Sequence, residues 1–370
     1  MSWLKLDVFL AMAAYGLIVG LVLLGKWKAK RKSDSLLSDE IVNNSDKISV
    51  IVPFRNEAKN LPNLIQSIQN LQTFPLEFIF VNDHSEDDSE SILEKTNLDF
   101  TFQLVNLVNE EAGKKAAIRK GVELAKGSFI LTWDADITPF HSYFSELEKY
   151  SWASLSILPV EMRDSKWASG FFAWDYQLQT QTSLSMAGWA RPILASGANL
   201  LFEKEAFIYA EEHRTDGYLS SGDDQFLLSA FRKSGKSIQN LVSKELTVIT
   251  GSPLTITDGL SQRSRWLGKS KAVKDNLANL FGVFVLVLQL SYYAFAFHQL
   301  WIGNFGATIV MILIKSELDA FICTYKFQEQ FNTFQVFVYE LVFPVYIFVL
   351  LFNSIFKIQT WKGRSSKNAI

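Results

Sequence analysis

Two long apolar regions constrain this chain more than any other feature of its sequence. Residues 6–25 form an apolar run of twenty residues with one acidic side chain near its start, and residues 277–356 are also mostly apolar. A helix of twenty residues is about 30 Å long, which matches the hydrocarbon core of a bilayer. Residues 30–275 have the mixed composition of a soluble protein. We therefore expect a soluble domain between membrane-spanning ends.

Five basic side chains follow the first apolar run, within residues 26–32. Basic residues beside a span favour the cytoplasmic side of the membrane. A secretory signal peptide would carry its bases before the apolar run and would end in a small-residue cleavage site, which this sequence does not show. We predict an N-terminal anchor over residues 1–25, a basic and polar linker over 26–47, and a multi-pass membrane protein whose soluble domain faces the cytoplasm. In a prokaryote the membrane would be the inner membrane.

The C-terminal membrane region, residues 276–370, contains two runs long enough to span, 280–301 and 334–356. A shorter apolar run lies between them and would span only if the charges that follow it face protein or the interface. That run is 305–314, and the charges are Lys315, Glu317 and Asp319. Three spans would place the basic C-terminal tail outside the cell, whereas two would keep it in the cytoplasm. The positive-inside rule favours two, and the count stays open.

Composition excludes several classes of protein. The formal net charge is −2, so the total charge does not indicate a nucleic-acid partner. A single cysteine, Cys323, cannot form an internal disulfide. The four histidines lack the spacing of zinc ligands, so a metal would be held by carboxylates.

The soluble region alternates between two hydrophobic periods. Short apolar runs at 48–54, 77–83, 102–107 and 128–136 predict buried strands, and helical patterns separate them. Ser85 is a candidate cap for the second helix, and the third is predicted to close at Gly127. The alternation predicts an α/β fold with a Rossmann-like, mostly parallel sheet.

Ligands of such sheets bind beyond the carboxyl ends of the strands, so the residues after each strand are the informative ones. The sequence has neither a G-x-G-x-x-G nor a P-loop pattern there, which weakens dinucleotide-binding, P-loop and nucleotidyltransferase readings. Instead, polar and acidic residues follow three of the strands: Arg55, Asn56 and Glu57; Asn82 and Asp83; Asp134 and Asp136. Alternate residues of an extended strand point the same way, so Asp134 and Asp136 could approach one cation.

Six short motifs in order resemble the inverting family 2 glycosyltransferases with the GT-A fold. They are VIVPFRNE (50–57), VNDHSEDDS (81–89), GKKAAIRKG (113–121), DAD (134–136), SGDDQFLL (221–228) and QRSRW (262–266). The resemblance covers about residues 48–268 and implies a GT-A domain over 48–275. Asn82, His84 and Asp223 depart from the usual family pattern, and His84 leaves the identity of the nucleotide base open.

The resemblance implies a role for each motif. Asp134 and Asp136 would hold Mg²⁺ or Mn²⁺ with the phosphates of a nucleotide-sugar donor, with a UDP-sugar expected. Asp224 would be the general base, and Asp223 would hold its geometry or only cap a helix. The residues at the donor would be Pro53, Asn56, Glu57, Asp83, Lys114 and Asp134. Ordinary turn, capping and surface roles remain alternatives for Glu57, Asp83 and Lys114.

The QRSRW motif has two compatible explanations. Basic residues and an indole before an apolar segment are typical of a membrane collar, that is, a set of side chains that holds a helix at the lipid surface. This explanation fits Lys269, Lys271 and Arg263. On a helix, however, Gln262, Arg265 and Trp266 share one face. By resemblance, this face carries a guanidinium to the diphosphate and an indole towards the acceptor.

Two further stretches stay open. Residues 196–202 could border the acceptor and donor sugar or form a tight turn before a strand. The aromatic stretch 160–195 could be an interfacial segment, an acceptor cleft or core.

The sequence thus predicts a membrane-bound inverting glycosyltransferase, of the hexosyltransferase class, with a lipid or saccharide acceptor, similar to ceramide glucosyltransferase-like enzymes. The lipid is favoured because the few spans leave little room for a polymer channel. A small processive synthase, similar to chitin-oligosaccharide synthases, is the closest alternative. A non-catalytic sugar-nucleotide-binding membrane scaffold is the second, although it would not need the Asp223–Asp224 pair.

Overall fold

A computed structural model describes most of the chain in two units. The described residues are 6–38, 44–96, 99–163, 167–212, 223–273, 275–324, 333–356, 360–361 and 364–365. The helical unit consists of residues 1–29, 164–193 and 252–357, and the sheet unit consists of residues 30–163, 194–251 and 358–370. Each unit is assembled from separate stretches of the chain, so the chain passes between them several times.

The sheet unit is built on seven strands. They are β1 (Ile48–Phe54), β2 (Glu77–Asn82), β3 (Phe102–Asn106), β4 (Phe129–Trp133), β6 (Leu155–Ile157), β8 (Asn199–Glu203) and β9 (Ile238–Asn240). The order is β3-β2-β1-β4-β8-β6-β9. The first four strands are parallel, and β8 is antiparallel to both of its neighbours. The predicted α/β class with a mostly parallel sheet is confirmed.

Two small sheets accompany it. One has the order β5-β10-β7, from β5 (Ile137–Thr138), β7 (Val160–Arg163) and β10 (Val248–Gly251). The other pairs β11 (Thr360–Trp361) with β12 (Arg364–Ser365). The helices of the sheet unit are α2 (Leu61–Gln69), α3 (Ser89–Lys95), α4 (Lys114–Leu124), α5 (Tyr143–Leu147), α7 (Lys204–Glu212) and α8 (Asp223–Lys233).

Helices cover both faces of the large sheet because the side chains of each strand alternate between faces. On one face, Leu64 of α2 packs in the same core as Val50 and Val52 of β1. On the other, Ile118 of α4 packs in the same core as Ile51. Such two-sided burial explains why β1 reads as a continuous apolar run.

Two of the predicted helix ends are wrong, for identifiable reasons. α3 begins at Ser89, four residues after the proposed cap, because Ser85 instead accepts a hydrogen bond from the amide of Asn56, at 3.1 Å. α4 ends at Leu124 rather than at Gly127. The Gly127 amide donates to the Ser49 hydroxyl at 2.9 Å, and an added Cβ there would lie 2.5 Å from a backbone oxygen. Gly127 therefore belongs to the loop that leads into β4 and does not end α4.

The helical unit contains the apolar regions. Its helices are α1 (Leu6–Asp34, whose last turn lies in the sheet unit), α6 (Trp167–Trp189), α9 (Ile256–Val273), α10 (Asn276–Trp301), α11 (Phe305–Thr324) and α12 (Thr333–Phe356). Three helices among the described residues are long and apolar enough to cross a membrane: α1, α10 and the segment Phe334–Asn353 of α12. α11 is not one of the three.

Two charged residues of α11, Lys315 and Asp319, are buried and paired within the helical unit. Lys315 is 1% exposed, and its ammonium group lies 2.7 Å from a carboxylate oxygen of Asp319 and contacts Glu340 of α12. The Tyr15 hydroxyl of α1 donates to Asp319 at 2.6 Å, and the Tyr293 hydroxyl of α10 donates to Glu340. The condition set for a span, that these charges face protein or the interface, is met on the protein side by Lys315 and Asp319, whereas Glu317 is exposed.

Candidate active site

The two aspartates of the DAD motif follow β4 directly. Asp134 is half-buried and pairs with Lys114, the first residue of α4. Asp136 is exposed and accepts a hydrogen bond from the Thr250 hydroxyl of β10, at 3.0 Å. Three separate elements therefore supply the polar groups at this end of the sheet. The sequence analysis did not identify Thr250, because this residue belongs to none of the six motifs.

The carboxylates of this cluster repel one another. Desolvation, followed by the charges of Asp134 and Glu57, raises the pKa of Asp136 to about 6. Asp136 as a whole residue is exposed, so the two like charges are the firmer cause. Lys114 opposes the shift. The site combines three carboxylates with one lysine and is acidic overall.

Such a donor set fits a hard divalent cation, because carboxylate oxygens are its preferred ligands and its charge would relieve the repulsion. Within the described part of the chain, no three candidate metal-ligating side chains are grouped closely enough to hold an ion by themselves. Asp134 and Asp136 fit the cation as a partial shell, which phosphate oxygens and water would complete.

The second predicted donor residue, Asp83, lies just beyond β2 and is 2% exposed. The Arg55 guanidinium donates to the Asp83 carbonyl at 3.0 Å, and the His84 ring lies 3.2 Å from the carboxylate. His84 has a φ of 55°, the left-handed region that favours glycine. The position at which His84 departs from the family pattern is therefore one whose backbone favours glycine.

The tip of β1 is tied to the β2 turn. Asn56 has a φ of 53°, and its side-chain oxygen accepts from the amide of Glu86 at 2.8 Å. The Asn60 amide donates to Glu57 at 2.6 Å, and Pro53 pairs with Val81 in the sheet. These contacts assign Asn56 to holding the turn. The roles of Asn56, Glu57 and Pro53 towards a nucleotide stay predictions.

Asp224 lies in the first turn of α8. One carboxylate oxygen is 2.8 Å from the Gln225 amide, and the other accepts from the Gly197 amide at 3.4 Å. A Cβ added to Gly197 would lie 3.2 Å from the Lys114 nitrogen and 3.6 Å from the Asp224 Cβ. Gly197 thus lies next to both side chains. The backbone of Asp223 begins α8, whereas its side chain and residues 221–222 lie outside the described residues.

The QRSRW motif lies on α9, in the helical unit. Gln262, Arg265 and Trp266 are half-buried, as expected for one face of a helix. Arg265 has no hydrogen-bond or ion-pair partner among the described residues, and desolvation lowers its pKa. A partly buried guanidinium without a counter-ion is suited to an anionic ligand.

The assignment of Arg263 to a membrane collar is wrong. Arg263 is 4% exposed, and its guanidinium lies 2.6 Å from Asp175 of α6. Sequence reasoning missed Asp175, although a signal was present, because it is the only charged residue of the 23-residue helix α6. The aromatic stretch around it is buried at Phe172, Trp174 and Tyr176. The side chains of Lys269 and Lys271 lie outside the described residues.

Comparison with known proteins shows which proteins this chain resembles. Residues 49–157 match the family model Glycosyl transferase family 2. An undecaprenyl-phosphate 4-deoxy-4-formamido-L-arabinose transferase of Proteus mirabilis is 32% identical over 96 residues, covering 25% of this chain and 29% of that protein. A transferase of the same name from Pseudomonas paraeruginosa is 24% identical over 280 residues, covering 70% of this chain and 77% of that protein.

Among solved structures, a mannosyltransferase from Pyrobaculum calidifontis, in complex with GDP-Man and Mn²⁺, is similar with a TM-score of 0.53 at 14% identity. The likeness covers 95% of this chain and 98% of that structure, and it supports the fold. Residues 49–157 are therefore similar to a glycosyltransferase family 2 domain, and the chain has the α/β GT-A fold.

Proposed function

We propose that this protein is an enzyme, a membrane-bound inverting glycosyltransferase with its catalytic domain in the cytoplasm, that moves a sugar from a nucleotide-sugar donor to a lipid acceptor. The observation that carries the proposal is the grouping of Asp134, Asp136, Lys114 and Asp224 around Gly197 and the end of β4. An acidic pair beside a lysine suits a diphosphate with its cation. A carboxylate nearby suits proton removal from a hydroxyl.

The donor would bind along the end of the sheet. Asp83 would accept hydrogen bonds from the base or the ribose, because a carboxylate is an acceptor only. Lys114 would move its charge from Asp134 to the phosphates as these arrive. Mg²⁺ or Mn²⁺, held by Asp134 and Asp136, would neutralise charge on the departing diphosphate. A UDP-sugar is the donor that we propose, on the resemblance of the Asp83 turn.

Asp224 would take the proton of the acceptor hydroxyl as that oxygen attacks the anomeric carbon opposite the leaving diphosphate. The configuration of the sugar would then invert in a single displacement. Two amides hold the Asp224 carboxylate in place, those of Gly197 and Gln225. Arg265 and Trp266 keep the roles that the resemblance implies, on the diphosphate and the acceptor respectively.

The names of the relatives favour a second acceptor chemistry. The similar enzymes from Proteus mirabilis and Pseudomonas paraeruginosa are named for undecaprenyl-phosphate. A lipid phosphate is already an anion near neutral pH and needs little base catalysis, whereas a lipid hydroxyl needs a base to accept its proton. The requirement for Asp224 therefore separates the two acceptors.

The experiment incubates purified protein with UDP-sugars, Mn²⁺ and a lipid extract, and it identifies the products by mass spectrometry. We expect a glycolipid that is absent with Asp136→Ala. Asp224→Asn should lower the rate by about 100-fold or more for a hydroxyl acceptor and by much less for a lipid phosphate. Transfer by Asp136→Ala at the wild-type rate would overturn the proposed cation site. A soluble polymer as the product would support a processive synthase instead.

A further inference from the structure

Arg263 occupies a buried position between two residues of the QRSRW motif. Its Nε donates to the Asp175 carboxylate at 2.6 Å, and one terminal nitrogen donates to the Phe172 carbonyl at 2.6 Å. The other terminal nitrogen donates to the side-chain oxygen of Gln262 at 3.3 Å. Its guanidinium carbon is 4.3 Å from the centre of the Trp266 ring. One guanidinium therefore touches Gln262 and Trp266 together.

Asp175 is itself held from a third helix. The hydroxyl of Tyr339 donates to one of its carboxylate oxygens at 3.0 Å, and that of Tyr346 donates to the other at 3.2 Å. Both tyrosines belong to α12, whereas Asp175 belongs to α6 and Arg263 to α9. The Tyr176 ring adds a contact with Trp266, at 5.7 Å between ring centres. The pair thus links α6, α9 and α12.

A buried ion pair is not an efficient way to stabilise a helix junction, since apolar residues of similar volume often stabilise it as well or better. The pair instead sets the orientation of neighbouring side chains, because a planar guanidinium holds several partners at once in fixed directions. We propose that Asp175 and Arg263 are positioning residues that set the orientation of Gln262 and Trp266 for sugar transfer. This inference rests on the proposed function, in which the Gln262 face of α9 serves the reaction.

The kinetic test uses three variants in detergent or nanodiscs: Arg263→Met, Asp175→Asn and the double variant. Each single change should lower kcat by about 10- to 100-fold, because small misplacements of reacting groups have effects of this size. KM for the donor should stay within about twofold. The double variant should lose no more than the worse single one, because the two residues act as a unit. Arg263→Lys should recover part of the rate.

A second measurement does not need activity. With 5-fluorotryptophan incorporated at the ten tryptophans, the ¹⁹F resonance of Trp266 is assigned by its loss in Trp266→Phe. Asp175→Asn and Arg263→Met should both shift or broaden that resonance. Leu280→Ala, at an exposed position of α10, is the matched control and should not shift it.

The outcomes separate the two proposals. Wild-type protein without any transfer activity would contradict the proposed function, while the Trp266 resonance would still report on the pair. An unmoved Trp266 resonance in Asp175→Asn would overturn the positioning inference, as would a full transfer rate in Arg263→Met. Multiplicative losses in the double variant would also overturn it, because the residues would then act independently.

Discussion

At the scale of single residues, the site depends on the space left by one glycine and on the close grouping of charged side chains. Gly197 has no side chain next to Lys114 and Asp224, and its amide contacts the Asp224 carboxylate. Asp136 lies among like charges and has a raised pKa. Neither property follows from one motif, because each arises where separate loops of the sheet unit meet.

A methyl group at Gly197 should disturb the reaction more than the fold. Gly197→Ala places a Cβ 3.2 Å from the Lys114 nitrogen, and the flexible end of that side chain can move away. We expect stability to change by less than about 1 kcal/mol and kcat/KM to fall about tenfold through displacement of Lys114. Transfer kinetics and thermal unfolding measure the two effects. Gly282→Ala, which meets no atom within 4 Å, is the control and should leave kcat/KM unchanged, with at most the small gain in stability from helix propensity.

Cation binding should weaken in acid around the raised pKa of Asp136. The folded-state pKa of about 6 lies above the ordinary value of 3.8, so the carboxyl is ionised above pH 6 and gains a proton below it. Affinity for Mn²⁺ should therefore decline as the pH falls through 6, as measured by titration calorimetry from pH 7.5 to 5. In the metal-free protein, repulsion from neighbouring carboxylates destabilises the ionised form of Asp136. Asp136→Asn should therefore raise the melting temperature at pH 7.5. A lower melting temperature would contradict the repulsion.

At the scale of elements, close packing of α4 on β1 places Lys114 beside the end of β4. Gly121 allows this approach, since a Cβ there would lie 2.6 Å from Cγ2 of Ile51. Gly121 closes the GKKAAIRKG motif that Lys114 helps to open. The motif therefore combines a charge for the site with the small residue that brings its helix close to the sheet.

Gly121→Ala should destabilise the sheet unit by about 1–3 kcal/mol through overpacking, less the small gain in helix propensity. Lys114 should shift with the helix, so activity should fall as well. Ile51→Ala removes the three crowded side-chain atoms, and the double variant should be less destabilised than the sum of its single changes. Thermal unfolding of all three proteins provides the measurement. Simple additivity would show that Ile51 is not the obstacle.

At the scale of the whole molecule, the chain alternates between two units with different interiors. The sheet unit buries apolar strands beneath helices, whereas the helical unit buries the charged group Lys315, Asp319 and Glu340 among its helices. Removal of one partner from such a group leaves the other charges uncompensated in an apolar surrounding. These charges are therefore part of the packing of the helical unit.

Lys315→Met should destabilise the helical unit by about 3–5 kcal/mol, because two carboxylates would lose their shared cation. The triple variant Lys315→Met, Asp319→Asn, Glu340→Gln should recover much of that loss. Glu317→Gln, at an exposed position of the same helix, is the control. Thermal unfolding in detergent compares them. A triple variant no more stable than Lys315→Met would contradict uncompensated carboxylates as the cause of the loss.

The sequence alone determined the alternation of strands and helices, the apolar segments long enough to span a membrane and the ends of strands at which the polar residues gather. These follow from local periodicity and from the rule that parallel strands end at one edge. The domain boundary at residues 48–275 stays a prediction. Within the motifs, the sequence identified the residue types but could not separate Arg263 from its neighbour Arg265, since both are arginines before an indole.

Only the tertiary structure decided which arginine is neutralised and which is available. Arg263 meets Asp175, which lies 88 residues away in the sequence, and such a contact depends on the packing of helices rather than on local pattern. Thr250 reaches Asp136 across 114 residues, and Gly197 adjoins both Lys114 and Asp224. The physical reason is common to all three. Charge and hydrogen-bonding energies fall off with distance in space, whereas a sequence records only distance along the chain.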